Sequence, residues 1–440
     1  MLCLQFLVNK KTIMMSKKIF TIFIITSFHL LSLNIYAKEK ADVIVAKNGS
    51  GNYTTIQAAI NSAPAGLNKS FIILIKNGTY NEKIYIEKNF ITLVGENKDS
   101  TKIIFSELRR NWLVDHPGND WGSAVVNVGN TVTDLTVANL TVYNNYGSTH
   151  TGEEKPNDHQ FAIRGGGDRV IIINCNIKAD GGDTLSLWNS TAGKYYHAFC
   201  NFEGWVDFVC PRGWCYITDS KFFGHNLSAS IWHDGSNDPD QKFVIRNSYF
   251  DGVENFPLGR NHRDGQFYLV DCNFSKNMAN QPIYRPPTSP APFKWGERYY
   301  YSNCHREGGN YKWFEDNLIT APHSPNQKEI TAKWTFASRW DPEANLQSIL
   351  PLAFFPSPKD EAKNVSSKNI KLTWIPGRNV ISHILYFGTT LSESTKKKIT
   401  INNINLSKLK KNTTYYWRVD EVTEVDTIKG QVWKFTTDNY

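Results

Sequence analysis

Through the middle of this chain, short apolar stretches are each followed by a tetrad of mixed polar and apolar residues. Asn139-Leu140-Thr141-Val142 is followed by Asn174-Cys175-Asn176-Ile177, Phe199-Cys200-Asn201-Phe202, Asp219-Ser220-Lys221-Phe222, Asn247-Ser248-Tyr249-Phe250 and Asp271-Cys272-Asn273-Phe274. Apolar runs such as Val170–Ile173 and Phe267–Val270 precede them. From Ile177 the tetrads step by 25, 20, 28 and 24 residues. Short strands at such a period fit the coils of a parallel β-helix, where each repeat buries its apolar face against its neighbours. A β-sandwich would show less regular internal similarity.

The flanks extend this picture. Tyr53–Ala63 has Ile56, Ala59, Ile60 and Ala63 at helical spacing and reads as a short helix capping the first coil. Phe71–Ile75, Asn77–Tyr80 and Ile91–Val94 read as strand, turn, strand. Residues 278–315, rich in Pro, Tyr and Trp, have the composition of a long functional loop. Composition shifts at Phe355-Pro356-Ser357-Pro358. Beyond it, Ile370–Trp374, His383–Phe387, Tyr415–Val419 and Val432–Thr436 alternate as strands, with Lys396–Lys398 and Lys408–Lys411 as charged turns. That pattern predicts a small antiparallel sandwich. The expected fold is all-β: a parallel β-helix over residues 38–355, then a sandwich over 356–440.

The first 37 residues stand apart. Lys17 and Lys18 precede an apolar run from Ile19 to Leu33, and Ala37 ends a cleavage site. This is the pattern of a secretory signal peptide, with a run too short for a comfortable membrane span. An uncleaved anchor helix is the alternative. Met15 reads as a candidate start, and no cysteine at the cleavage site points to lipid anchoring.

Charge changes the picture little. The net charge is +8, but four lysines and no acids lie in residues 1–37, so the remainder carries +4. Residues 356–440 hold 14 basic and 8 acidic side chains, which leaves the central region slightly acidic. No basic patch of the kind a nucleic-acid binder needs is present. An acidic substrate would be met by a few placed cations. Past the leader the cysteines are Cys175, Cys200, Cys210, Cys215, Cys272 and Cys304. Their even number in an exported chain permits disulfides, while the repeat positions of Cys175, Cys200 and Cys272 favour buried thiols.

Candidate chemistry lies in four segments. Asp207 sits between apolar Val206 and Phe208, and Asp183 follows Gly181-Gly182, where the backbone permits close approach of a ligand. The two are 24 residues, or one coil, apart, so on a β-helix they stack about 5 Å from each other. Carboxylates that close do not both ionise easily, which yields a protonated acid beside an ionised nucleophile. Turn or ladder aspartates are the plainer reading. Arg260, after Leu258-Gly259, suits pairing with Asp207, and Gln160 offers an amide to a developing oxyanion. Each alone is an ordinary surface residue.

Taken in order, these segments resemble the pectin methylesterase (pectinesterase) family over residues 41–318. Gly78-Thr79-Tyr80-Asn81-Glu82, His159–Arg164 with Gly167-Asp168-Arg169, Gly182-Asp183-Thr184-Leu185, Gly204–Val209 and Leu258-Gly259-Arg260 match its elements in sequence. The resemblance implies a right-handed parallel β-helix and hydrolysis of galacturonate methyl esters in pectin. It implies Asp207 as nucleophile, Asp183 as acid then base, Gln160 at the oxyanion and Arg260 orienting Asp207. It implies no cofactor and no metal. Pectin or a related uronate polysaccharide is the expected partner, with no nucleic acid, no membrane after leader cleavage, and a monomer that is secreted or periplasmic. The C-terminal pattern of Trp374, Tyr415–Val419 and Val432–Thr436 resembles fibronectin type III domains.

The chain departs from the family pattern around the aspartates. Gly182 replaces a second glutamine, Cys210-Pro211 replaces Phe-Gly and is followed by Arg212, Ser186 replaces a tyrosine, and His262 replaces a sugar-stacking tryptophan. Arg212 and His262 are therefore candidates to supply lost oxyanion or carboxylate contacts, and Trp232 and His233 to touch substrate. A polysaccharide lyase is a rival reading, but no dense acidic cluster for Ca²⁺ is visible. A non-catalytic glycan-binding relic is another, favoured by Gly182 and His262 and opposed by Asp183, Asp207 and Arg260.

Overall fold

Each tetrad found in the sequence begins at a corner. Asn139, Asn174, Phe199, Asp219, Asn247, Asp271 and Asn303 all have φ between +49° and +55°. Side chains with a Cβ resist this left-handed backbone, and Asn and Asp resist it least. The amides also climb from coil to coil: Asn174 Nδ2 donates to Asn139 Oδ1 (2.8 Å), and Asn303 Nδ2 to Asp271 Oδ1 (2.7 Å). Phe199 is the apolar exception and packs on Phe355, with ring centroids 4.5 Å apart.

The structure is a computed structural model and describes residues 41–439 apart from 153–157, 235–237, 288–291, 351, 393 and 425. The expected leader lies outside the described residues, as does Pro290. The corners separate parallel sheets. The longest has ten strands, from Val43–Val45 through Phe71–Ile75, Val170–Ile173 and Lys194–Ala198 to Arg298–Ser302. A second has nine, from Gly78–Tyr80 to His305–Arg306. The third runs through Ile84–Ile86, Val126–Val128, Ile163–Gly165 and Leu185–Leu187, then by single bridges to Val209 and on to Ile231–Trp232 and Gly259–Arg260. Every strand pair in these sheets is parallel and joins successive coils, which is the predicted β-helix.

Inside, like stacks on like. Phe202, Phe222, Phe250 and Phe274 are in register, with centroids 5.1, 4.2 and 5.7 Å apart. Such pairs each add about 0.5–1.5 kcal/mol beyond area burial. The six cysteines from Cys175 onward are all buried free thiols, several donating to strand carbonyls. The outer face of the long sheet is buried too: Ile173, Tyr196, Val244 and Tyr268 pack against Ile330, Phe336, Leu346 and Leu350. Burial on both faces explains why its strands read as continuous apolar runs. The helix at Ile56–Ser62 is capped by Thr55 and buries Ile56, Ala59 and Ile60.

Three expectations need correcting. Gly78–Tyr80 is a strand, paired with Thr101–Phe105. Residues 278–315 contain a further coil, with strands at Arg298–Ser302 and His305–Arg306, because Tyr300 and Tyr301 stack in the two cores. Lys396–Lys398 lie within the strand Thr395–Ile399, paired on Ser382–Gly388. From Phe354 onward the strands form two small sheets, antiparallel except where Ala362–Val365 meets Val432–Thr437. They enclose a separate core of Trp374, Trp417, Trp433 and Phe435.

Candidate active site

The third sheet carries the candidate residues. Asp183 N–H donates to Val206 O (2.9 Å) and Asp207 N–H to Ala229 O (2.7 Å), so the two aspartates open successive turns of the same row. Leu185 bridges Val209 just beyond them. Both aspartates have left-handed backbone, φ +57° and +48°. Aspartate tolerates this conformation, and here it lets the side chain leave the row at its edge. Close approach is required at the neighbouring glycines. A Cβ on Gly204 would lie 2.2 Å from Thr184 Oγ1, and one on Gly181 would lie 2.6 Å from Gln160 Nε2.

Arg260 reaches the lower aspartate from the next coils. Its Nε lies 3.0 and 3.1 Å from the two oxygens of Asp207, and its Nη2 lies 2.7 Å from Oδ2. Both aspartates are only 6 % exposed. Burial raises the Asp207 pKa to about 7, with the Arg260 bond opposing and the charge of Asp183 reinforcing the rise. Burial raises Asp183 as well, against the charges of His159, Arg164 and Arg260. The pair therefore shares a proton near neutrality. Of the two aspartates Arg260 bonds Asp207, which favours the negative charge there over Asp183. His159 Nε2 lies 3.4 Å from Asp183 Oδ2. Ser186 Oγ donates to Asp183 O (2.9 Å) and lies 2.9 Å from Cys210 Sγ, so polar groups fill the space where the family has Tyr and Phe.

Gln160 is fully buried beside the pair. Gly147 N–H donates to its Oε1 (3.1 Å), which turns the amide nitrogen to the Gly181 side. Gly182, where the family has its second glutamine, bridges His159 through backbone only.

Further along the row lies a rim of rings and cations. Trp188 bridges Arg212, whose guanidinium carbon is 3.9 Å from the Trp188 ring centre and 5.1 Å from that of Trp232. Arg164 lies 4.0 Å from the same Trp188 ring and bonds Asp120 at 3.0 Å. Two guanidiniums so close to one centroid occupy its two faces. Trp232 Nε1 donates to His262 Nδ1 (2.9 Å), and His262 N–H donates to Asp234 (2.8 Å). With Nδ1 accepting, a neutral His262 carries its proton on Nε2. Burial lowers its pKa, so it is neutral where Asp207 is ionised.

The structure thus brings Asp183, Asp207, Gln160 and Arg260 together, with Arg212, Trp232 and His262 on the adjoining rim. It corrects two expectations. His233 does not face the cleft: it is fully buried between Phe243 and Phe267, its Nε2 3.0 Å from Gly213 O and its Nδ1 accepting from Gln266 N–H. Burial pushes its pKa down to about 4, so it is a neutral packing residue. Trp232 is 4 % exposed, with the Arg212 guanidinium over its ring and its Nε1 given to His262, which leaves no broad face for a sugar. Sequence reasoning gave no role to His159, Arg164 or Trp188. Trp188 and Arg212 are separated by the same 24 residues as Asp183 and Asp207, a signal that would have found their contact.

Comparison with known proteins finds similar sequences and similar folds. The family model described as Pectinesterase matches residues 42–261. Probable pectinesterase 56 of Arabidopsis thaliana is 36 % identical over 178 residues, covering 40 % of this chain and 55 % of that protein. Pectinesterase 2 of Citrus sinensis is 30 % identical over 211 residues, 47 % of this chain and 38 % of its own. The chain thus spans about half or less of these curated relatives. Among solved structures, pectin methylesterase PemA from Erwinia chrysanthemi aligns with a TM-score of 0.54 at 18 % identity, covering 69 % of this chain and 98 % of that one. A pectin methylesterase in complex with hexasaccharide VII aligns at 0.55 and 20 % identity, with the same coverage. At these identities the structural likeness speaks for the fold alone.

Proposed function

The chain belongs to the pectinesterase family, and from that premise we propose that it is a secreted carbohydrate esterase that hydrolyses galacturonate methyl esters in pectin, releasing methanol. The observation that carries this reading is the buried aspartate pair with Asp207 clamped by Arg260. Arg260 favours the ionised form of Asp207, whose Oδ1 receives one donor where Oδ2 receives two, so Oδ1 is the freer oxygen for attack.

In the first half-reaction Asp207 Oδ1 adds to the ester carbonyl carbon. The Gln160 amide stabilises the oxyanion that forms. As the tetrahedral centre collapses, the bond to the methoxy oxygen breaks and that oxygen takes the proton of Asp183, leaving as methanol. An acyl-enzyme remains on Asp207. In the second half-reaction Asp183, now a carboxylate, takes a proton from water as the water oxygen adds to the acyl carbon. The bond to Asp207 breaks, and Asp207 regains its charge against Arg260. Both carboxylates end as they began, and Arg260 acts as a positioning residue.

Residues 1–37 act as a cleaved leader that directs the chain out of the cytoplasm or into the periplasm. Residues 38–355 form the catalytic unit, which works as a monomer. Residues 356–440 form a fibronectin type III-like spacer, a reading supported by the Trp374, Trp417 and Trp433 core. Incubation with highly methyl-esterified pectin tests the activity. Methanol without unsaturated sugar products is the expected result; unsaturated products without methanol would indicate a lyase and refute the esterase.

A further inference from the structure

A column of inward side chains runs along one corner of the β-helix and carries chemistry that the aspartates do not use. Cys175, Cys200, Ser220, Ser248, Cys272 and Cys304 hold equivalent places on successive coils. The strand pairs on either side of the corner fix this register: Ile173 with Ala198 and Asn176 with Asn201 at one end, Val270 with Ser302 and Asn273 with His305 at the other. The coils between keep the same step. The column therefore stacks Cys175 on Cys200 and Cys272 on Cys304, with two serines between the pairs. Adjacent strands lie about 4.8 Å apart, inside the Cα separation of about 4.4–6.8 Å that a disulfide spans. Cys215 lies off this column, paired with Tyr195 and Phe243, and Cys210 faces Ser186.

The two pairs differ in setting. Cys175 and Cys200 are sealed within the coils, at 0 % and 1 % exposure. Cys304 lies on the last coil, where it and Phe314 are the buried lining of a cavity of about 210 Å³. Exposed Asn303, His305, Glu315 and Asp316 line the same cavity, so it opens on the surface. Cys304 Sγ is turned toward the coil of Cys272, donating to Leu269 O at 3.3 Å, and Cys272 Sγ donates in the same sense to Ile245 O at 3.4 Å. The two thiols are also hydrogen-bond partners of each other. Just beyond them, His305–Arg306 pairs with Asn273–Phe274 over two residues only, which leaves this end of the sheet lightly held.

We propose that Cys272 and Cys304 are a disulfide-forming site, reached by small disulfides through the end cavity, that staples the last coil to its neighbour once the chain is outside the cytoplasm. Exported chains meet such oxidising conditions. Cys304 gives up its proton, and its sulfur attacks one sulfur of the small disulfide, expelling the other as a thiolate that takes a proton. Cys272 then loses its proton and attacks Cys304 Sγ, expelling the second small thiol. Two protein thiols are oxidised and one small disulfide is reduced to two thiols, with no other reactant. Burial raises the Cys272 pKa, so the second step is the slow one. The two cysteines are 32 residues apart, and closing that loop restrains the unfolded chain. The proposal does not depend on the esterase reading.

The test is incubation of the folded chain with hydroxyethyl disulfide to a constant thiol count, then alkylation in denaturant and mass spectrometry of the unreduced peptides. Wild type is expected to lose two thiols and to yield one crosslinked peptide pair containing Cys272 and Cys304. Its melting temperature should rise by about 3–6 °C and return to the starting value with dithiothreitol. Cys304→Ser should give no crosslink and no rise; Ser220 and Ser248 already fill this column, so the substitution suits the fold. Cys200→Ser should form the same crosslink as wild type. No loss of thiols, a hydroxyethyl group retained on Cys304 without closure, or a link between other cysteines overturns the proposal. A Cys272–Cys304 link with no rise in melting temperature overturns it as well, because the bond would then staple nothing.

Discussion

Two parts of the same row handle charge in opposite ways. At Asp183 and Asp207 the charges are answered: Arg260 spans Asp207, and burial raises the pKa of Asp183 beside His159. At Trp188, Arg212 and Trp232 a guanidinium is stacked between rings, its Nε buried without a hydrogen bond among the described residues, with the charge of Asp234 nearby. A closed electrostatic set fixes a reaction geometry before substrate arrives, which is what catalysis by preorganisation needs. The other leaves the in-plane donors of its guanidinium unspent. The first keeps the aspartates and the arginine of the family pattern, and the second holds Arg212, which follows one of the altered motifs.

The largest way to break the closed set is to remove its proton carrier. Asp183→Ala should lower kcat by about 10³–10⁴-fold, measured as methanol release. Arg260→Gln should cost about 10²–10³-fold and move the pH profile. Burial and the Asp183 charge raise Asp207 to about 7, and Arg260 opposes them. Turnover that needs ionised Asp207 therefore climbs as pH rises through that value, and loss of Arg260 displaces the climb to higher pH. An unshifted profile in Arg260→Gln would mean that Arg260 only packs. Gly182→Gln restores the amide the family carries and should raise kcat by about tenfold if Gln160 alone under-serves the oxyanion. No gain would show that the rebuilt rim already compensates.

The smallest effect is on stability. Both aspartates have raised pKa values in the fold, so the folded state binds more protons than the unfolded one from about pH 4 to about 7. Stability is then lost as pH rises through that window. Asp183→Asn removes one such group and should raise the melting temperature by about 2 °C at pH 8, with no gain near pH 4. A gain at both pH values would trace to packing instead.

The β-helix was legible in the sequence because each coil imposes the same physical demand. A left-handed corner selects Asn or Asp, and an inward stack selects Phe or Cys, so Asn247-Ser248-Tyr249-Phe250 looks like its neighbours. The aspartate pair was legible through the coil step. Lys396–Lys398 was misread as a turn because an exposed edge strand carries the same charges to discourage further pairing. The coil at Arg298–Ser302 was hidden because its inward positions are Tyr299 and Tyr301, in a stretch whose prolines read as loop. His233 was misread because a histidine next to candidate residues says nothing about which way it points, and its strand turns it inward. The cation–ring contacts at Trp188 join residues 24 apart that no local pattern links.

The most direct measurement is methanol release from highly methyl-esterified pectin by wild type and Asp207→Asn in parallel, each checked for an unchanged melting transition. Asn keeps the shape and a hydrogen bond to Arg260 while removing the nucleophilic charge. Steady release by wild type and loss of at least about 10⁴-fold in Asp207→Asn is the expected result. Release by the variant within tenfold of wild type would contradict a covalent role for Asp207 and with it the proposed mechanism.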